Sequence, residues 1–179
     1  EDARGHQVQR ELPLFGDHGV AGVVPGGVAC DDGAVARVEV DDATFARELP
    51  LRLDLTNLLR FVAVNAVLAN YDSFLGTGHN FYLFQPRDGG KTTFIPWDLN
   101  EAFGGHPPGG TRRAQAEFSV LKPQAENIRV IGRVLANPEF AAAYRREVAA
   151  LLTNAFNPVR LRAEAERIAR VTQESVFAE

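Results

Sequence analysis

The apolar residues in the second half of the chain recur with helical spacing. Residues 55–70 follow a candidate N-cap, Asp54, and carry apolar side chains on nearly every face, which is typical of a helix surrounded by other elements. Three C-terminal helices are predicted from apolar residues spaced by three and four, and Asn137-Pro138 and Asn157-Pro158 open the last two. Their predicted inward faces comprise Ile128, Ile131 and Leu135, then Phe140, Tyr144, Val148, Leu151 and Leu152, and finally Leu161, Ala165, Ile168 and Thr172. On the last helix, Glu166 and Arg170 are expected to form an outward ion pair.

Two short apolar runs, residues 81–84 and 92–95, flank a turn at residues 86–90 that contains a proline and a glycine pair. This pattern predicts an antiparallel hairpin, because glycine supplies the positive φ that such a turn needs. Residues 1–50 are rich in glycine and valine, and their only strand signals lie at 20–24 and 35–40. We therefore predict an α+β fold that is predominantly α-helical with one central β-hairpin, formed by residues 51–179 after a connector or remnant of a preceding region at 1–50.

Composition removes several classes of function. The chain holds 19 basic and 23 acidic residues, a net charge of −4, whereas nucleic acids and anionic membranes require a cationic surface. Its longest apolar stretch, residues 61–68, is far shorter than the roughly 20 residues that span a bilayer. A single cysteine excludes an internal disulfide and a cysteine-based zinc site. We expect no nucleic-acid partner and no membrane span.

Candidate chemistry is concentrated between residues 70 and 104. The predicted central helix ends near Asp72, a loop leads to Asn80 at the start of the hairpin, and Asp98 follows its second strand. Because a hairpin brings its two ends together, Asn80 and Asp98 are expected to be neighbours, with Asp72 delivered beside them. Two carboxylates and an amide form a hard-oxygen site that suits Mg²⁺ or Mn²⁺.

Phosphoryl transfer from ATP uses these groups. One carboxylate accepts the proton of the hydroxyl, while another carboxylate and an amide oxygen hold the metal ions. Protein kinases carry them in this chain order, with a hairpin between the catalytic-loop asparagine and the metal-binding aspartate. Asp72 and Asn80 are eight residues apart here, however, against about five in ordinary kinases. The sequence is therefore not that of a standard kinase.

Three segments resemble the CotH kinase family, the atypical spore-coat protein kinases. They are Asn-Tyr-Asp at residues 70–72, Gly-His-Asn-Phe-Tyr-Leu-Phe at 78–84, and the Pro-Trp-Asp segment within 94–104. The C-terminal helices, with Asn137-Pro138 and Tyr144, are similar as well, so the resemblance covers about residues 50–179.

The resemblance implies a role for each matched residue. Asp72 would be the catalytic aspartate that orients and deprotonates a Ser or Thr hydroxyl. Asp98 would be the main metal ligand in the place of the DFG aspartate, and Asn80 a second ligand, with Asn70, His79 and Asn100 as supporting candidates. ATP and Mg²⁺ or Mn²⁺ would be the cofactors, and a protein in the spore coat or at the cell surface the substrate. This chain would be the helical C-terminal lobe of the kinase fold.

Two features depart from the family pattern. Asn100 stands where the family usually has a second aspartate, and residues 1–90 contain no lysine to hold the α- and β-phosphates. The chain also contains no methionine. We therefore expect that the N-terminal lobe lies outside this chain and that the chain alone is inactive.

Other interpretations of the same residues stay open. Asp72 would also serve as a helix-end acceptor of backbone N–H groups, Asp98 as the cap of a helix starting at Leu99, and Asn80 as a residue that pins the loop. His79 is expected to hydrogen-bond within the loop. Trp97, Tyr82 and Phe103 are expected to be packing residues, and His18 and His106 lack the spacing of metal ligands. The rival functions are a non-catalytic, pseudokinase-like coat or surface module and a metal-dependent phosphohydrolase.

Overall fold

The computed structural model describes residues 15–16, 19–20 and 40–176. In chain order the elements are β1 (Phe15–Gly16), β2 (Gly19–Val20), α1 (Asp42–Arg52), α2 (Leu55–Val67), β3 (Phe81–Phe84), β4 (Thr93–Pro96), α3 (Arg112–Ala116), α4 (Arg129–Ala136), α5 (Pro138–Ala150) and α6 (Pro158–Val176). A 3₁₀ turn (Pro107–Gly109) precedes α3, and a π-helical turn (Leu151–Ala155) follows α5. The predicted class, a mainly helical α+β fold with a hairpin, is confirmed. The strands predicted at 20–24 and 35–40 lie outside the described residues, except for Val20 in β2 and Val40 before α1.

Helix α1 was not predicted from the sequence. Asp41 caps it, since its carboxylate accepts the backbone N–H of Thr44 at 2.8 Å. Phe45 and Leu49 lie one turn apart and are both buried in the core. Pro50 hides this helix from a sequence pattern, because proline usually marks a break, yet here it lies in the last turn. The boundary placed after residue 50 therefore falls inside a helix that belongs to the core.

Helix α2 is the central helix, as predicted. The Asp54 carboxylate accepts the backbone N–H of Asn57 at 2.9 Å and caps it. Six of its side chains are buried: Leu58, Leu59, Phe61, Val62, Ala63 and Asn65. The helix ends at Val67, three residues earlier than expected, because Ala69 has a left-handed φ of 46° that stops the helical hydrogen bonding.

Strands β3 and β4 form the predicted antiparallel hairpin, with Phe81 opposite Pro96 and Phe84 opposite Thr93. The side chain of Asn57 joins α2 to this sheet, since its amide oxygen accepts the N–H of Phe94 and its amide nitrogen donates to the Phe94 carbonyl. The inner face is aromatic. The rings of Phe74, Phe81 and Phe94 lie 4.8 to 5.4 Å apart between centroids.

No described element buries the outer face of the hairpin. Tyr82 is 53% exposed and Trp97 57% exposed, and their rings contact each other edge to face with centroids 5.3 Å apart. Phe103 is 55% exposed as well. The sequence predicts packing roles for these three rings, and the structure places them outside the core, where Tyr82 contacts Trp97 and Phe103 stacks on Phe156 with centroids 6.5 Å apart. Alternate residues of a strand point to opposite faces, and the rest of the described core packs on one face of this sheet only.

Helix α5 packs on both α2 and α4. Asn137 caps it as predicted, accepting the N–H groups of Glu139 and Phe140, and Asn157 caps α6 in the same way. Arg60 of α2 reaches Glu147 of α5 at 3.0 Å. No helix in the described ranges combines the length and apolarity needed to cross a bilayer.

Helix α6 differs from its prediction in two ways. Ala165, Ile168 and Thr172 are exposed rather than inward-facing. The outward ion pair joins Arg167 to Glu164 at 2.6 Å instead of Glu166 to Arg170. The apolar period determines which residues of a helix share a face, but another element must be present to bury that face.

Candidate functional site

The end of α2 is fixed by buried amides, and this is what presents Asp72. Asn65 and Asn70 are 2% and 3% exposed, and the Asn70 side-chain N–H donates to the Asn65 amide oxygen at 2.9 Å. Asn65 in turn donates to the Phe61 carbonyl, and the Ser73 hydroxyl donates to the Asn70 carbonyl at 2.7 Å. Asn70, a supporting candidate for the chemistry, is thus an internal brace of the loop.

The loop after Asp72 is a tight turn. The carbonyl of Ser73 accepts the backbone N–H groups of Gly76, Thr77 and Gly78. Gly76 lies so close to Tyr71 that a Cβ there would be 2.1 Å from the Tyr71 carbonyl oxygen. This packing leads the chain back past Asp72, and the Thr77 hydroxyl donates to Asp72 Oδ1 at 3.3 Å.

Asp72 and Asn80 are in direct contact. The Asn80 amide nitrogen donates both to Asp72 Oδ2 and to the Asp72 carbonyl, each at 2.9 Å. Asn80 adopts a left-handed φ of 60°, a conformation that asparagine tolerates better than most residues. The Asn80 amide nitrogen thus pins the loop to Asp72, which was the alternative role expected for this residue. The amide oxygen accepts no hydrogen bond from the described part of the chain.

Asp98 stands at the same end of the hairpin. The backbone N–H of Trp97 donates to the Asn80 carbonyl at 3.2 Å, so Asp98 is one residue beyond the last cross-strand bond. Its φ of 46° turns the chain out of the strand, and its side chain is exposed. No hydrogen bond or ion pair joins the Asp98 carboxylate to another described residue. No helix starts at Leu99 either, so Asp98 is not a helix cap.

The three predicted oxygen donors thus differ in their contacts. Asp72 and Asn80 touch each other, and Asp98 lies next to the residue that pairs with Asn80, without a direct bond to either side chain. Asn100 is exposed in the following turn. Within the described ranges, no set of three or more His, Cys, Asp or Glu side chains is arranged to hold a metal ion. Metal binding by Asp98 and Asn80 stays a prediction.

Two histidines flank Asp72, and the sequence indicated only one of them. Nδ1 of His79 and Nδ1 of His106 each lie 3.7 Å from Asp72 Oδ1. His79 also lies 3.4 Å from the Thr77 hydroxyl, in agreement with its expected role in the loop. His106 lies 34 residues beyond Asp72 along the chain, in a glycine- and proline-rich stretch with no regular spacing, so no local signal connected the two. His18 lies outside the described residues.

The Asp72 carboxylate receives its hydrogen bonds from side chains, namely Asn80 and Thr77. The alternative in which it accepts backbone N–H groups at a helix end is therefore not what the structure has. Its side chain is 16% exposed, so part of it remains accessible to solvent. An accessible, side-chain-supported carboxylate is suited to accept a proton from a bound hydroxyl.

Comparison with known proteins identifies the family of the chain. The sequence model of the CotH kinase protein family matches residues 34–177. The chain belongs to this family. The resemblance carried by residues 70–104 is thereby confirmed, and the match begins before the predicted boundary at residue 50.

One relative within the CotH family is the inner spore coat protein H of Bacillus subtilis (strain 168), which is 29% identical over 117 residues. The matched segment covers 65% of this chain and 30% of the relative. The chain thus spans about a third of the length of the relative it matches.

Proposed function

We propose that this CotH-family protein is an ATP-dependent protein kinase that acts on Ser or Thr hydroxyls of a coat or cell-surface protein. The observation that carries the proposal is the contact of Asn80 with Asp72 at the hairpin end from which Asp98 emerges. This contact supports the proposal, because phosphoryl transfer uses a proton acceptor, an amide and a second carboxylate, and the chain carries them in that order.

Asp72 is the residue that would handle the proton. Asn80 donates to Oδ2 at 2.9 Å, and the Thr77 hydroxyl shares its proton between Oδ1 at 3.3 Å and the Ser73 carbonyl at 3.2 Å, so the carboxylate is oriented mainly by Asn80 before substrate arrives. It would accept the hydroxyl proton as the substrate oxygen bonds to the γ-phosphorus and the bond from that phosphorus to the bridging oxygen of ADP breaks. Positioning of this kind is the main protein contribution in phosphoryl transfer.

Asp98 and Asn80 would hold the metal ion. Their chemistry fits Mg²⁺ or Mn²⁺, because both offer oxygen and neither the Asp98 carboxylate nor the Asn80 amide oxygen is used by a described residue. When bound, such an ion neutralises charge on the phosphates. Tyr82 lies two residues after Asn80, and Trp97 directly precedes Asp98. Their exposed rings offer an aromatic surface on which a nucleobase would stack.

The test is transfer of radiolabelled phosphate from ATP by the full-length protein, with casein as the probe substrate. We expect Asp98→Ala and Asp72→Asn to abolish transfer. Asp88→Ala is the matched control, since Asp88 is an exposed aspartate in the turn at the other end of the same hairpin, and we expect it to retain activity. Retained transfer in Asp98→Ala would contradict the proposal.

A second candidate is a non-catalytic coat or surface module. Its support is the position of the two lysines: residues 1–90 contain none to hold the nucleotide phosphates, and Lys91 and Lys122 are both exposed. Asn100, in place of the aspartate usual in the family, supports it as well. The relative named above is an inner spore coat protein, and this alternative would give the present chain a similar location. Phosphate transfer separates the two functions, because a module without catalysis is expected to transfer no phosphate to casein even where its metal site is retained.

A further inference from the structure

His106 and His79 are equally far from Asp72 but differ in how much of each side chain is exposed to solvent. Its side chain is 13% exposed, whereas that of His79, at the same 3.7 Å from the same oxygen, is 61% exposed. An interaction between charged or polar groups is stronger where water is excluded. Of two histidines at equal distance, the less exposed one, His106, is therefore expected to have the larger influence on the Asp72 carboxylate.

The loop that carries His106 is built to hold it there. Gln115, 1% exposed, donates its amide N–H groups to the carbonyls of His106 at 2.7 Å and Gly110 at 3.0 Å. The start of the loop is attached to the end of α2 by the hydrogen bond from the Gly104 N–H to the Ala69 carbonyl at 3.1 Å. Tyr71, the neighbour of Asp72, lies 6.1 Å from the His106 ring between centroids. His106 and Asp72 are thus both connected to the end of α2 by these contacts.

We propose that His106 is a positioning residue for Asp72, an inference that rests on the proposed phosphotransfer function. Asn80 fixes Oδ2, while Oδ1 has only the 3.3 Å contact from Thr77 as a hydrogen bond. His106 Nδ1 and Asp72 Oδ1 are 3.7 Å apart, just beyond hydrogen-bond distance, and an Nδ1–H that closes on Oδ1 would keep the carboxylate from rotating away from the substrate hydroxyl. A base that is oriented by a third group is the general arrangement for efficient proton transfer.

The first test compares His106→Leu with His106→Asn in the casein assay. The asparagine side chain keeps an N–H donor at the δ position, and leucine does not. We expect His106→Leu to lower kcat about tenfold with KM for ATP unchanged, and His106→Asn to recover most of the loss. His79→Leu, the exposed match, is expected to cause a smaller loss. Equal kcat in His106→Leu and wild type, or equal loss in both His106 variants at matched melting temperature, would overturn the proposal.

The second test does not depend on activity. Nitrogen-15 NMR of histidine-labelled full-length protein, in mildly alkaline buffer, distinguishes the Nδ1–H from the Nε2–H form of each ring. An acceptor at Nδ1 favours the Nδ1–H form. We expect that form for His106 in the wild type and its loss in Asp72→Ala, with a smaller change at His79. An unchanged His106 signal would refute the pairing. Absence of phosphate transfer with this spectral change present would instead refute the proposed kinase function.

Discussion

The two buried amides behind Asp72 allow a quantitative test of how the site is supported. Asn65 and Asn70 share a 2.9 Å hydrogen bond at 2% and 3% exposure. The Asn70 amide oxygen has no partner in the described residues. Replacing Asn65 with alanine would leave the whole Asn70 amide buried without a partner. Replacing both residues removes the polar groups together.

The expected energies follow from that difference. An orphaned buried polar group costs about 1 to 3 kcal/mol, whereas removal of both partners has a much smaller cost. Alanine is favoured over asparagine inside α2 by roughly 0.7 kcal/mol, which offsets part of the loss. We therefore expect Asn65→Ala to lower the free energy of unfolding by about 1 to 2 kcal/mol. The loss of unfolding free energy in the double variant should be smaller than the sum of the two single losses by about 1 to 2 kcal/mol.

Urea unfolding of the wild type, both single variants and the double variant measures these quantities, with the slope of the transition as a check on the denatured state. If the two single losses of unfolding free energy add up to the loss of the double variant within about 0.5 kcal/mol, the energetic coupling between Asn65 and Asn70 is refuted. The same proteins address the role of Asn70. If Asn70 braces the loop and takes no part in chemistry, Asn70→Ala and Asn65→Ala should lower phosphate transfer equally when compared at equal folded fraction.

Three further predictions concern the metal, a buried phenol and the tight loop. Millimolar Mg²⁺ or Mn²⁺ should raise the melting temperature of the wild type but not that of Asp98→Asn. Without metal, Asp98→Asn should be no less stable than the wild type. Calorimetry that shows no metal effect on the wild type would count against the site. Burial raises the pKa of Tyr144 above its ordinary 10.0, so the unfolded chain ionises first and stability should fall as pH rises above about 10. Urea titrations should show that fall abolished in Tyr144→Phe, and an identical fall in both proteins would contradict the cause. Gly76→Ala should lower the free energy of unfolding by about 3 kcal/mol or more, because the new Cβ meets the Tyr71 carbonyl. Gly89 has open space around it but a positive φ, so Gly89→Ala should lower it by only about 1 kcal/mol in the same unfolding assay.

Much of this molecule was predictable from local sequence. Asp54, Asn137 and Asn157 cap their helices as expected, because capping is a contact between residues two or three positions apart. The hairpin was predicted from two apolar runs and a turn, and its antiparallel pairing brings Asn80 and Trp97 together. The family, too, was indicated by residues 70–104 before any comparison.

Tertiary structure decided what local patterns do not contain. The sequence alone did not show that α6 would leave Ile168 exposed, that Tyr82 and Trp97 would face outward, or that Pro50 would lie in the last turn of a core helix. It also did not place His106 beside Asp72, because that contact closes a loop of more than thirty residues through Gln115 and the end of α2. A repeating pattern specifies which side chains share a face, whereas burial and long-range contacts depend on which other surface covers that face, and only the folded chain supplies it.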